Sequence, residues 1–183
     1  ASSGSIQNCL FLNNNGYPLK YNDWTCNSFL KGNTYTGNAI NYIALSGGDY
    51  SSDRTIYNDG IPYRVLGDIR IVQYGAHSRL TLKPGITLAF DTGIKLQLGS
   101  GNSWGGDLFA EGKADSLITF KPYNNVIGGW AGIHFTEWND NWGGTSSMKY
   151  CRVEKGANYN LNAETSGQPL IDHCTFTQSS GNG

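Results

Sequence analysis

The sequence predicts an all-β fold, a parallel β-helix in which short strands wind into a solenoid with little or no helix. Three observations predict it: the composition, a repeated strand–turn–strand pattern, and alternating apolar residues between glycine-containing turns. The chain contains 25 glycines and is 13 % aromatic, a mix that suits short strands and tight turns and suits helices poorly.

A six-residue pattern recurs along the chain, and it reads apolar, polar, turn residue, small inward residue, polar, apolar. It occurs at Ile6–Phe11, Met148–Val153 and Ile171–Phe176, with a looser copy at Leu30–Tyr35. The period of two on either side of the turn residue predicts two short strands that meet at a bend. Asn8 and Gly32 suit the left-handed backbone of such a bend, whereas Tyr150 and His173 tolerate it less well.

The centre of the chain shows the same organisation over longer strands. Alternating residues at Leu80–Leu82, Ile86–Phe90 and Ile94–Leu98 are separated by the turns Lys83–Gly85 and Asp91–Gly93. The interval from Cys151 to Cys174 is long enough for three short strands and three turns at about 3.3 Å per strand residue. We therefore expect three strands in each coil.

The repeat pattern extends over nearly the whole chain, from Ile6 almost to Gly183. Residues 1–183 are therefore expected to form a single parallel β-helix domain, or a segment of a longer solenoid. No amphipathic helix seals either end, so the ends are expected to be uncapped, and bare strand edges favour pairing with another chain. Tyr50–Asn58, rich in Ser, Asp and Tyr, is the expected excursion from the regular coil.

Several segments carry a resemblance to a known family. They are Tyr63–Val65, Leu82–Leu88, Ala110–Asp115, Ile118–Phe120, Gly129–Ile133 and Tyr150–Cys151. With them, most of the chain resembles the right-handed parallel β-helix repeat proteins of the pectate-lyase-like superfamily, especially extracellular and surface proteins. The resemblance implies a right-handed solenoid with apolar ladders inside and any chemistry in the turns, and it implies no particular function.

Composition and charge exclude several classes of partner. Charged residues make up 15 % of the chain and the formal net charge is −1, with no run of Lys or Arg, which argues against nucleic acid and anionic membranes. No apolar run is long enough to span a bilayer. The polar, aromatic-rich composition is typical of secreted or cell-surface proteins. The four cysteines match no zinc-ligand spacing, and neither a metal nor a cofactor is predicted.

The aromatic loop between Trp138 and Trp142 is the candidate binding site. Two indoles beside Asn139, Asp140 and Asn141 offer a stacking surface and hydrogen-bonding groups for a sugar. The structural alternative is that both indoles pack over the solenoid wall and stiffen the loop.

No catalytic constellation can be built from neighbouring residues in the sequence. The carboxylates form no diagnostic cluster, and His77, His134 and His173 lie far apart in the chain. His134 is expected to face outward, because Ile133 and Phe135 on either side should face the core.

Cys151 and Cys174 occupy equivalent positions one coil apart. The spacing of about 4.8 Å between strands allows a disulfide between them. Unpaired cysteines in an interior ladder are the alternative, since parallel side-chain vectors suit disulfide geometry poorly.

The first functional hypothesis is a non-catalytic extracellular solenoid, either a surface rod or a filament subunit whose ends bind copies of itself. The second is a carbohydrate-binding surface or adhesion module with glycans as partners. The third is a polysaccharide lyase or glycosidase, which is supported chiefly by analogy with the pectate-lyase-like superfamily.

Overall fold

The computed structural model describes residues 4–22, 29–101, 103–137, 144–164 and 168–181. These residues form short strands, turns and bends. The strands are β1 Ser5–Gln7, β2 Leu10–Leu12, β3 Leu19–Tyr21, β4 Phe29–Lys31, β5 Thr34–Thr36, β6 Ile43–Leu45, β7 Gly48–Tyr50, β8 Arg54–Ile56, β9 Tyr63–Val65, β10 Ile69–Ile71 and β11 Gln73–Tyr74. They continue with β12 His77–Leu82, β13 Thr87–Phe90, β14 Lys95–Leu98, β15 Trp104–Glu111, β16 Ile118–Pro122, β17 Gly132–Phe135, β18 Ser147–Lys149, β19 Cys151–Glu154, β20 Leu161–Ala163, β21 Leu170–Asp172 and β22 Thr175–Thr177.

The strands are assembled into three larger sheets and two strand pairs. Their spatial orders are β20-β17-β14-β10-β7, β21-β18-β15-β12-β8 and β22-β19-β16-β13-β9-β6-β3, with β1-β4 and β2-β5 as the pairs. Among the described strands all ladders are parallel except β11 on β15. From β7 onward the chain visits the three larger sheets in turn. The predicted all-β, parallel architecture is confirmed, and it is compatible with a β-solenoid.

The described residues contain no helix, and so none that is long and apolar enough to cross a membrane. This agrees with the glycine-rich composition, which disfavours helix.

Apolar side chains stack in ladders between the sheets. One ladder, defined by successive strand pairs in the largest sheet, includes Ile43, Tyr63, Leu88, Phe120, Val153 and Phe176. All but Phe176 are at most 2 % exposed. Burial on one side of every strand fixes the register, because a slip by one residue would turn each ladder outward.

The expected excursion at Tyr50–Asn58 is wrong. Tyr50 ends β7 and is 2 % exposed, and Arg54–Ile56 forms β8 within the six-stranded sheet. The Ser and Asp residues that suggested a loop occupy only the short corner between these two strands.

Candidate functional site

The four predicted strand–turn–strand units are all present. Each bend is a single residue with a left-handed backbone: φ is 53° at Asn8, 69° at Gly32, 49° at Tyr150 and 50° at His173. The strands on either side are β1 and β2, β4 and β5, β18 and β19, and β21 and β22. The first and last of these units lie on the outermost strands of their sheets.

Apolar ladder residues become exposed in the last unit. Ile171 and Phe176 are 45 % and 38 % exposed, whereas their partners Met148 and Val153 on the preceding strands are fully buried. Together with Leu161, Ile171 and Phe176 line a depression of about 470 Å³. Ile171 and Phe176 thus add exposed apolar surface to the outermost strands β21 and β22.

The first unit exposes apolar side chains as well. Leu10 and Leu12 on β2 are 68 % and 47 % exposed. Phe11 stacks on Tyr35 of the neighbouring strand with 5.1 Å between ring centroids, so it continues a ladder in one direction. Ile6 packs partly buried against the core above Leu30.

The predicted sugar-binding loop, Trp138 to Trp142 with Asn139, Asp140 and Asn141, lies outside the described residues, and its role stays a prediction. The structure describes Gly144, the second residue after that loop. A methyl group at Gly144 would lie 2.5 Å from Asp107 Oδ1 and would also collide with His77. The backbone at Gly144 therefore packs directly against side chains on the outer face of β12 and β15.

A charged cluster missed by the sequence analysis lies beneath Gly144. Asp107 on β15 pairs in register with Arg79 on β12, and His77 lies two residues before Arg79. The Asp107 carboxylate is 3.6 Å from Arg79 Nη2 and 3.7 Å from His77 Nδ1. Arg79 also lies over the Phe109 ring, 4.2 Å from its centroid.

The Asp107 carboxyl is fully buried, although it lies on the outer side of its strand. Neither of its oxygens meets a hydrogen-bond partner of good geometry, and the same holds for both ring nitrogens of His77. Burial raises the pKa of Asp107, while the charges of His77 and Arg79 and the nearby Thr145 amide oppose the rise. Such a group costs stability and is therefore a candidate for a functional role.

The sequence carried a partial signal for this cluster. His77 and Arg79 alternate with the inward Ser78 and Leu80, so both could be placed on one outer face. The register between β12 and β15, which brings Asp107 opposite Arg79, depends on the length of the intervening chain and on stacking of the core.

A second polar site is an open groove of about 500 Å³ outside the seven-stranded sheet. Arg64 makes two hydrogen bonds to Asp91, of 2.7 and 3.1 Å, and its guanidinium lies 3.6 Å from the Tyr123 ring centroid. Tyr17 approaches the same guanidinium at 5.9 Å. The Arg64 guanidinium thus covers one face of the Tyr123 ring, and the groove holds a fixed ion pair beside this aromatic side chain.

Three further carboxylates, those of Glu111, Glu154 and Asp172, have local partners. Glu111 accepts a hydrogen bond from Ser147 Oγ at 2.8 Å, and Glu154 and Asp172 pair with Arg152 and Lys149 at 3.3 and 3.2 Å. Among the described residues, no group of three or more Cys, His, Asp or Glu side chains is placed to hold a metal ion. His134 faces outward as expected and bonds Glu164 at 2.8 Å.

Cys151 and Cys174 are adjacent, and both are free thiols in this structure. The Cys151 amide donates a hydrogen bond to Cys174 Sγ at 3.4 Å. Their equivalent positions are those expected, and the disulfide between them stays a prediction about an oxidised form.

No protein-family model, curated protein or solved structure gave a significant match to this chain.

Proposed function

We propose that this chain is a non-catalytic structural β-solenoid, right-handed with three strands per coil, that is secreted or displayed at a cell surface and assembles end to end with copies of itself. The observation that carries the proposal is the contrast within one ladder: Val153 is fully buried, whereas Phe176 on the next strand is 38 % exposed. Apolar surface of this kind is stabilised when another layer covers it, by roughly 25 cal/mol per Å².

The occupant proposed for this surface is the first strand–turn–strand unit of a second copy. Ile6–Phe11 and Ile171–Phe176 share one pattern, and their bends share one backbone conformation, with φ of 53° at Asn8 and 50° at His173. A head-to-tail stack would thus set Ile6 on Ile171 and Phe11 on Phe176.

Near both ends of the chain, the amide of a bend residue donates a hydrogen bond to the next strand–turn–strand unit, at the carbonyl of the residue before its bend. The Asn8 amide donates to the Lys31 carbonyl at 3.1 Å, and the Tyr150 amide donates to the Asp172 carbonyl at 3.1 Å. In a stack, the His173 amide would donate to the Gln7 carbonyl of the next copy. Because this contact joins two different surfaces, it propagates into a filament instead of closing as a dimer.

The test is sedimentation velocity across a concentration series, with negative-stain electron microscopy of the same samples. We expect mass to grow with concentration and unbranched filaments to form. Phe176→Asp should abolish growth, whereas Val126→Asp, a matched control at a side chain 55 % exposed on a turn, should leave it unchanged. Monomers at every concentration would refute the proposal.

A carbohydrate-binding surface module is the second candidate function, supported by the groove in which Arg64 lies over Tyr123. A glycan array compares the unaltered chain with Tyr123→Ala and Trp142→Ala. Binding lost in either variant would support the module and show which of the two sites is used, and an array without any binding would remove it.

A further inference from the structure

The three described cysteines share one local conformation. Each directly follows the left-handed residue of its strand–turn–strand unit, and each thiol donates to the carbonyl two residues earlier. These contacts are Cys9 to Gln7 at 3.3 Å, Cys151 to Lys149 at 3.5 Å and Cys174 to Asp172 at 3.3 Å. The thiols are therefore positioned alike in the first unit and in the last two.

The thiols of Cys151 and Cys174 also make the same type of contact with the preceding strand. The Cys151 thiol donates to the Ala110 carbonyl at 3.1 Å, and the Cys174 thiol donates to the Met148 carbonyl at 3.4 Å. Ala110 and Met148 are themselves partners in the strand ladder. Each thiol is thus bound to the strand before it, and the Cys151 amide donates to the thiol after it.

We propose that, in the head-to-tail stack, Cys9 of the next copy lies next to Cys174, at the equivalent position of the adjacent strand. This pair is then a site of disulfide formation between copies. The inference rests on the proposed end-to-end assembly. With the same contacts, the Cys9 thiol would donate to the Ile171 carbonyl and accept from the Cys174 amide. Neighbouring strands are about 4.8 Å apart, within the Cα separation that a disulfide accepts, and the two thiols must rotate out of their parallel arrangement for the sulfurs to meet.

Exposure of the thiols favours this pair over Cys151 with Cys174. Cys151 is 1 % exposed, and burial raises its pKa well above the ordinary thiol value, so it forms little thiolate near neutral pH. Cys9 is exposed and Cys174 is partly exposed. The exposed Cys9 thiol is therefore accessible to an oxidant in solution before two copies stack.

The oxidant is a small-molecule disulfide such as oxidised glutathione. The Cys9 thiolate attacks one sulfur of the oxidant, giving a mixed disulfide and one glutathione thiol. The Cys174 thiolate of the neighbouring copy then displaces the second glutathione. One sulfur–sulfur bond forms between copies, one is broken in the oxidant, and the two protein thiol protons end on the two glutathione thiols.

The experiment uses the full chain with Cys26→Ser and Cys151→Ser, which leaves only Cys9 and Cys174. After treatment with oxidised glutathione, non-reducing electrophoresis should show a ladder of covalent multimers that dithiothreitol collapses. Adding Cys9→Ser or Cys174→Ser should leave monomers, and mixing those two variants should give dimers and nothing larger. Phe176→Asp in the two-cysteine chain should remove the ladder.

Sedimentation velocity on the same samples separates the two proposals. Assemblies without a disulfide ladder would overturn the junction register and leave end-to-end assembly standing. Multimers that survive Phe176→Asp, or that form with one cysteine alone, would also overturn it. The absence of both assemblies and ladder would refute both proposals.

Discussion

Replacing Asp107 with Asn should stabilise this protein at neutral pH. Asn keeps the shape of the side chain and removes the charge. The carboxyl is fully buried, its oxygens lack hydrogen-bond partners of good geometry, and the nearest basic side chains, Arg79 and His77, lie at 3.6 and 3.7 Å. These side chains only partly offset the loss of water around the carboxylate, so the pKa of Asp107 stays above its ordinary value.

The direction of the pH dependence follows from that raised pKa. The unfolded chain loses the Asp107 proton near pH 3.9, at about the ordinary value, while the folded protein holds it to higher pH. Stability is therefore lost as pH rises through the folded pKa, and the cost is absent below the unfolded pKa. The charge adds about 1–3 kcal/mol to the cost of burying this polar group, and Asn removes only that added cost. For a chain of this size that is roughly 2–12 °C in Tm.

The assay is thermal unfolding followed by circular dichroism at pH 7 and pH 3. Asp107→Asn should raise Tm at pH 7 and have a smaller effect at pH 3. Asp91→Asn is the control, because that carboxylate makes two hydrogen bonds to Arg64 and its loss should lower Tm at pH 7. If Asp107→Asn lowers Tm more at pH 7 than at pH 3, the carboxylate is held by its neighbours and the reasoning is wrong.

Three further predictions concern stability. Trp130→Ala should cost about 3–5 kcal/mol in chemical denaturation, since the fully buried indole stacks on Phe90 at 4.4 Å; an effect below 1 kcal/mol would contradict this. Gly144→Ala should lower Tm by forcing the chain off Asp107, whereas Gly16→Ala, with nothing within 4 Å, should not. The Glu137 amide and His134 lower the pKa of Glu164. Glu164→Gln should therefore lower Tm at pH 7, and this deficit should shrink as pH falls below about 4.3; a pH-independent deficit would count against the assignment.

The local elements were predictable because their signals are local. A left-handed bend flanked by alternating residues needs only short-range sterics, and the bends at Asn8, Gly32, Tyr150 and His173 lie where the sequence placed them. The Ser and Asp residues in the segment from Tyr50 to Asn58 suggested a loop, but burial of Ile56 in the core keeps that strand in its sheet.

The polar clusters were not predictable in the same way. Arg64 and Asp91 meet across neighbouring strands, and Tyr123 reaches them from beyond a third strand. Such contacts depend on how much chain lies between successive strands of one sheet, and that length varies along this molecule. A period-two pattern gives the face of a residue but not its neighbour across the sheet.

The sequence by itself determined the all-β class, the strand–turn–strand units and the equivalence of Cys151 and Cys174, because periodicity and backbone sterics act over a few residues. Tertiary structure alone decided that Asp107 meets Arg79 and His77, and that Met148 is buried while Ile171 is exposed. The physical reason is register: strand stacking selects which residues pair across a sheet, and position in the stack decides whether an apolar rung is covered.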